Sequence, residues 1–271
     1  MAAHGPLDHV VDHNTLEFAW WNGPSYQMEV HLPKILGLQI TRFMVMEAVA
    51  ALLMIAILIP VVQHIRRRPV SKGGFFNAFE AILLFIRDQV ARPAIGGHGA
   101  DKFLPFLWTA FFFVLFNNLL GSIPGGATAT GNINVTGVLA VSTLGVVIWS
   151  GVKEYGVAGF FKNLVPSVDV PKPLNYAFWP LMFVIELLGL LIKHLVLAVR
   201  LFANMFAGHV VLAVILGFIV AAQGWLFYVV APASIAGVVA LSLLELFVAF
   251  LQAYIFTFLS ALFIGASVHP H

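Results

Sequence analysis

The sequence predicts an all-α integral membrane protein with about five membrane crossings and one interfacial amphipathic helix, its last two helices long and steeply tilted. Hydrophobic residues make up 61% of its 271 residues and charged residues only 10%. A soluble domain carries about 25% charged residues because its surface must be wetted. At about 20 apolar residues per crossing, the composition allows roughly five to eight helical spans.

Charge and cysteine usage exclude further classes of protein. The net charge is only +2 and no basic face is present, so we expect no nucleic-acid partner. The chain contains no Cys, which excludes disulfides, iron–sulfur clusters and thiol catalysis.

Residues 1–41 are predicted to form a polar N-terminal segment, which mixes His with Asp and Glu and is interrupted by prolines. The segment lacks the basic start and short apolar core of a signal peptide, so we expect it to be retained. Residues 42–271 are predicted to form a single transmembrane helical domain.

The first three crossings are apolar segments separated by more polar ones. They are predicted at Phe43–Val62, Phe103–Gly121 and Thr136–Val152. Between the first two, Phe75–Val90 mixes three charges with Phe and Leu, which is typical of a helix lying in the membrane interface. The Gly-rich segment Gly121–Val135 is predicted to be a turn-rich loop.

Two much longer apolar stretches follow, at about Ala177–Ala222 and Gly224–Ala266. Each has more than twice the roughly 20 residues that a crossing needs, so each is either a hairpin or one steeply tilted helix. No strong turn signal interrupts the first stretch, which favours tilted helices, although periodicity does not exclude hairpins.

The distribution of Lys and Arg predicts the orientation. The loops after the first and third crossings face the same side and hold ten of the 14 basic residues. The Gly121–Val135 loop and the link near Gln223 hold none. Because basic loops stay in the cytoplasm, we expect the N-terminus outside and the C-terminus inside.

Ionisable residues lie within the last two stretches, where hydrocarbon is expected: Glu186, Lys193, Arg200, His209 and Glu245. An Arg or Lys at a helix centre costs about 2.5–3.5 kcal/mol on insertion scales. Snorkelling does not explain Arg200, which lies near the middle of its stretch. One buried pair could be structural, but a whole array on two helices favours an ion or proton path.

Helical geometry gathers the polar residues of the first long stretch onto one face. At about 100° per residue, with Arg200 at zero, Lys193 falls near 20° and both Glu186 and Asn204 near 40°. His209 points to the opposite side and lies about 13 Å further along the helix at 1.5 Å per residue.

The second long stretch carries its own polar face, because Glu245 and Gln252 are seven residues apart. With the predicted orientation, His209 and Glu245 lie nearer the outside and Glu186 nearer the inside. Arg200 and Gln252 lie between them at mid-depth. A permanent cation in mid-path does not suit a simple proton pore, because arginine is not deprotonated in proteins. It suits two offset half-paths that must be kept from short-circuiting.

The run Arg200–His209 (RLFANMFAGH), followed by Glu245 and by Gln252-Ala-Tyr-Ile-Phe, resembles subunit a of F-type ATP synthases. The resemblance extends to Asn118–Pro124 (NLLGSIP) at the end of the second crossing and to Glu186. It covers the chain from the first crossing to the end of the last stretch, but not the N-terminal segment. It implies a membrane stator that holds proton half-channels beside a rotating ring of small helical subunits.

The resemblance also implies roles for individual residues. Arg200 would face the carboxylate of the rotor, and Glu186 would belong to the inner exit path. The remaining matches are Asn204 and Gln252 near the arginine, Asn118, His209 and Glu245 in the outer path, and Lys193 as a further candidate. Many bacterial members exchange the carboxylate and the histidine, so the arrangement of His209 and Glu245 is similar to that of mitochondrial members.

The partners that the resemblance implies are the rotor ring of subunit c, the peripheral stalk subunit b and, indirectly, the catalytic head, together with protons and lipid. No cofactor or metal is expected. The sequence has no Gly-rich lysine loop, so nucleotide chemistry is expected on partner subunits. The absence of a transit peptide favours the inner membrane of a bacterium.

Two alternatives are a membrane redox subunit and a stand-alone ion channel or transporter. The deep histidines His194 and His209 lie on one helix, about 60° apart in direction and roughly 22 Å apart in height, and so cannot sandwich one haem. A transporter usually contains an inverted internal repeat, which this sequence lacks.

Overall fold

The structure is a computed structural model that describes residues 15–19, 27–31, 34–35, 38–67, 73–97, 99–122, 129–165 and 172–269. Within the N-terminal segment, two short antiparallel strand pairs form. The strands are β1 (Thr15–Ala19) paired with β2 (Gln27–His31), and β3 (Lys34–Ile35) paired with β4 (Leu38–Gln39). These strands were not predicted from the sequence.

Helices account for nearly all the rest of the described chain. In chain order they are α1 (Arg42–Arg67), α2 (Gly74–Phe85), a π-helical turn (Ile86–Ala91), α3 (Arg92–Ile95), a 3₁₀ turn (Ala100–Lys102), α4 (Leu104–Gly121), a 3₁₀ turn (Ala129–Gly131), α5 (Ile133–Asn163), α6 (Lys172–Ala221) and α7 (Trp225–Val268). Among the described residues, five helices are long and apolar enough to cross a membrane: α1, α4, α5, α6 and α7. The predicted fold class is confirmed.

The two long apolar stretches are single continuous helices and not hairpins. The apolar part of α6 (Phe178–Ala221) and the whole of α7 each contain 44 residues. A helix of that length extends about 66 Å, whereas the hydrocarbon core is about 30 Å thick. Only a steep tilt keeps so long an apolar helix inside the core.

Helix α5 is interrupted near its end by Gly156, which has φ 74° and ψ 168°. This positive φ is strained for any residue with a Cβ, so glycine permits the break. The predicted third crossing ended at Val152, a few residues before this break.

The segment after α1 is charged at its π-helical turn, and its charges pair with one another. Asp88 accepts a 2.9 Å bond from Arg87 Nε and forms a 2.9 Å ion pair with Arg92. The hydrogen bond from Arg87 is the main cause that lowers the pKa of the Asp88 carboxyl below its ordinary value. Trp108 Nε1 on α4 donates to the Leu83 carbonyl on α2 at 3.1 Å. The predicted amphipathic helix at 75–90 is therefore α2 together with the π-helical turn.

The chain divides into two compact units. The first contains Met1–Leu58, Phe112–Val135 and Leu201–Ala253, and the second contains Ile59–Phe111, Thr136–Arg200 and Tyr254–His271. Each long helix therefore contributes one part to each unit. In α6 the division falls directly after Arg200.

The end of α7 is fixed within the second unit by three polar contacts. Ser267 Oγ donates to the Val147 carbonyl at 2.8 Å, and Tyr155 Oη donates to the Val268 carbonyl at 2.7 Å. His269 Nε2, just after the helix, donates to the Ile95 carbonyl at 3.0 Å. These bonds connect the end of α7 to both α5 and α3.

Candidate functional site

In the first unit, the Glu245 carboxylate on α7 packs directly against Gly208 on α6. A Cβ on residue 208 would overlap Glu245 Oε1. Oε1 is buried and has no hydrogen-bond partner among the described residues. Because a buried polar atom without a partner is costly, this carboxylate is a strong candidate for a functional group.

His209 follows Gly208 and lies within electrostatic range of Glu245. Its Nδ1 lies 3.0 Å from the Met205 carbonyl, which only accepts hydrogen bonds, so Nδ1 is the donor. The other ring nitrogen, Nε2, is then the proton-accepting one in the neutral histidine. The structure thus places His209 close enough to Glu245 for the charges of the two groups to interact.

A cavity of about 200 Å³ lies between these parts of α6 and α7. Asn204, Gly208 and Glu245 all line it, and the rest of its lining is apolar. Asn204 and Glu245 therefore line the same cavity. This proximity was not predicted from the sequence.

Asn118, also in the first unit, is fully buried on α4. Its Oδ1 accepts a 2.9 Å hydrogen bond from Thr130 Oγ1, whereas its Nδ2 has no partner within the described part of the chain. The amide is therefore bonded to Thr130 and not to His209 or Glu245. Sequence reasoning missed Thr130, because nothing in the loop 121–135 distinguishes this threonine from Thr128.

Gln252 on α7 is buried too, with 3% of its surface exposed. Its Nε2 has no hydrogen-bond partner among the residues that the structure describes. Among its described residues, the first unit therefore holds three buried side-chain polar atoms without a hydrogen-bond partner, on Asn118, Glu245 and Gln252. Two of these atoms are donors and one is an acceptor.

In the second unit, Glu186 and Lys193 on α6 form an ion pair with Oε1 and Nζ 3.7 Å apart. Both side chains are partly exposed, 38% for the glutamate and 53% for the lysine. They line a cavity of about 270 Å³ together with Asn163 and Ser267. The two residues are seven positions apart on the polar face of α6 predicted from the sequence, and their side chains meet there.

Arg200 is the last α6 residue of the second unit, and its side chain is exposed. Among the described residues it makes no ion pair or hydrogen bond. Its exposed neighbours Val196 and Val199 are apolar. A guanidinium on an apolar, membrane-spanning helix needs a counter-charge, and no described residue supplies one.

The family model described as ATP synthase A chain matches residues 44–265, which is most of the sequence. The chain belongs to the ATP synthase A chain family. Among its relatives, ATP synthase subunit a 2 of Chlorobaculum tepidum is 42% identical over 97% of this chain and 72% of the relative. ATP synthase subunit a of Chloroherpeton thalassium is 41% identical over 97% of this chain and 76% of the relative. ATP synthase subunit a of Myxococcus xanthus is 43% identical over 87% of this chain and 76% of the relative.

As a member of the ATP synthase A chain family, the protein is a multi-pass, non-catalytic membrane subunit, the proton-translocating stator of the synthase. The resemblance described from the sequence is confirmed. Membership decides against the redox and stand-alone channel alternatives. It assigns no role to any single residue of this chain, so the site residues stay predictions.

Proposed function

We propose that this subunit provides two offset proton half-channels to a rotor ring of subunit c, with an arginine gate at Arg200 between them. The observation that supports this most strongly is the exposed Arg200 side chain, which lacks a counter-ion among the described residues of an apolar helix. A carboxylate on a rotor helix is the counter-charge that this position requires.

The outer half-channel uses Asn118, His209 and Glu245. A proton enters from outside, is exchanged between the His209 ring and the Glu245 carboxylate, and neutralises the rotor carboxylate. The proximity of the two groups supports a single coupled titrating unit. Asn204 and Gln252 supply polar contacts between the His209–Glu245 pair and the rotor.

The inner half-channel opens at Glu186. Its partly exposed carboxylate lines a cavity together with Lys193, Asn163 and Ser267, which supports a wet exit for protons. Lys193 Nζ lies 3.7 Å from the carboxylate and balances its negative charge.

Arg200 acts on the rotor carboxylate when that group reaches the stator. Its positive charge favours the ionised carboxylate and so promotes release of the proton towards the inner side. A neutralised carboxylate can turn into lipid, where an ionised one would be costly. The fixed cation also blocks a direct leak of protons between the half-channels.

The orientation and partners complete this proposal. We place the N-terminus and residues 1–41 outside and the C-terminus in the cytoplasm, in the inner membrane of a bacterium, with residues 42–271 as the membrane domain. The basic loops after the first and third crossings support this orientation. Subunit b of the peripheral stalk is the further membrane partner, and the catalytic head is reached indirectly.

The test is ATP synthesis driven by an imposed proton gradient, with the assembled synthase in liposomes. Replacing Arg200→Ala removes the gate, so we expect coupled synthesis to be abolished although the complex assembles. The matched control is Arg92→Ala, which removes an arginine outside the membrane spans and should leave synthesis near the wild-type rate. Wild-type synthesis in Arg200→Ala would refute the gate and with it both half-channels.

A further inference from the structure

His194 on α6 is a buried histidine with a fixed tautomer. Its Nδ1 lies 2.8 Å from the Leu190 carbonyl, which can only accept, so Nδ1 carries the proton in the neutral ring. Nε2 is therefore the basic nitrogen, and it is buried without a partner among the described residues. With 3% of its surface exposed, the side chain is buried away from solvent.

The position of His194 along α6 places it between Arg200 and Glu186, within the same compact unit. These two residues are 14 positions apart, or about 21 Å along the axis at 1.5 Å per residue. In this interval the only ionisable side chains are Lys193 and His194. Of the two, only histidine ordinarily changes its charge near neutral pH.

The surroundings of His194 connect it to the cavity at Glu186. Its ring lies 5.0 Å, between centroids, from Phe263 on α7, and both Phe263 and Leu190 line that cavity. His194 is thus one layer of side chains from the cavity, whose volume of about 270 Å³ has room for several water molecules.

Few charges face this ring. On its own helix the neighbouring charges are Lys193 and Glu186, which pair with each other. On α7, no titratable residue occurs between Tyr254 and the end of the helix at Val268. The α5 residues that line the cavity carry no titratable group: Val147, Phe160, Asn163 and Leu164. Among these described residues around the ring and the cavity, His194 is therefore the one neutral base.

We propose that His194 is a proton-relay residue of the inner half-channel, which takes the proton released beside Arg200 and passes it to the cavity at Glu186. The Nε2 lone pair forms the new N–H bond, and the resulting imidazolium gives the same proton to water or to the glutamate. The step consumes no other reactant. The inference rests on the two half-channels of the proposed function and adds a residue that those half-channels did not include.

The experiment compares the whole synthase in liposomes, oriented with its catalytic head outward, as wild type, His194→Gln and Phe263→Leu. His194→Gln removes the base but keeps a polar side chain, whereas Phe263→Leu disturbs the packing of the ring and keeps the base. Gradient-driven ATP synthesis is measured while the pH on the head side varies at a constant pH difference. Assembly of each complex is checked on native gels.

We expect His194→Gln to slow synthesis about tenfold, less than the 100-fold or more of a general base at a reacting centre, because water can partly replace the relay. In the wild type and in Phe263→Leu, the rate of ATP synthesis should fall as head-side pH falls, because a protonated imidazole no longer accepts protons. The His194→Gln enzyme should lose this part of the pH profile.

Two outcomes would overturn the relay. One is an assembled His194→Gln enzyme with the wild-type rate and pH profile. The other is an equal loss in His194→Gln and Phe263→Leu with an unchanged profile, which would make His194 a packing residue. Either result leaves the half-channels standing if Arg200→Ala abolishes synthesis, whereas synthesis in Arg200→Ala would refute the proposed function itself.

Discussion

The close contact between Gly208 and Glu245 allows a sharp test of the outer half-channel. Gly208→Ala places a methyl group where Glu245 Oε1 lies. Since the carboxylate is the end of a flexible side chain, we expect it to rotate away while the two helices stay in place. The substitution therefore displaces a proposed proton carrier without removing it.

The energetic cost of this displacement can be bounded. Overpacking by one methyl group costs about 1–3 kcal/mol, whereas alanine improves helix propensity over glycine by about 0.8–1.0 kcal/mol. The net destabilisation is therefore about 0–2 kcal/mol, and we expect the subunit still to assemble. If the whole 1–3 kcal/mol falls on the working position of the carboxylate, transport slows about 5- to 150-fold at 1.4 kcal/mol per factor of ten.

The assay is gradient-driven ATP synthesis in liposomes, compared among wild type, Gly208→Ala and Gly217→Ala. Gly217 lies on the same helix, and a Cβ there would meet nothing within 4 Å, so its replacement supplies the propensity gain without the clash. Adding Glu245→Asp to Gly208→Ala shortens the carboxylate and should recover part of the rate, a coupling that a double-mutant cycle measures.

Three results would refute this reasoning. Gly208→Ala could work at the wild-type rate, Gly217→Ala could lose as much as Gly208→Ala, or the shorter carboxylate could fail to restore any activity. The first would mean that the position of Glu245 does not matter. The second and third would mean that the loss comes from the helix and not from the contact.

Two further predictions concern polar contacts in each unit. Thr130→Val removes the donor to Asn118 Oδ1 and leaves a buried acceptor unpaired at a cost of about 1–3 kcal/mol, so we expect slower synthesis and lower thermal stability, whereas Thr130→Ser should stay near wild type. Equal behaviour of the two variants would contradict a role for the hydroxyl. The bond from Arg87 lowers the pKa of Asp88, so its ion pairs are intact at neutral pH and are lost as pH falls through that lowered value. Thermal unfolding at a series of pH values should show the wild type losing its small advantage over Asp88→Asn on acidification, and an advantage that did not change with pH would contradict this.

The sequence predicted the membrane helices well because hydropathy is a local property. Each predicted crossing matches a helix of the structure and runs past its ends by one residue at most, and the two long stretches are single helices. The strand pairs at 15–39 were missed, because strands of two to five residues in a polar segment interrupted by prolines give too short an alternation to detect.

The candidate site was predictable where its residues share a helix. A constant rotation per residue aligns positions seven apart, so the proximity of Glu186 and Lys193 could be inferred from the sequence. The contacts of Gly208 with Glu245 and of Asn118 with Thr130 could not be inferred. They depend on how α6 meets α7 and on how a loop returns to α4, which no single-helix periodicity encodes.

The great length of α6 has a consequence for distances in the membrane plane. If an apolar helix of about 66 Å stays within a core of about 30 Å, each residue advances about 0.7 Å in depth and about 1.3 Å sideways. The 14 residues from Glu186 to Arg200 then span only about 10 Å of depth but about 19 Å of lateral distance. On the proposed inner path, a proton that leaves beside the arginine and exits at the glutamate would therefore travel mainly parallel to the membrane surface.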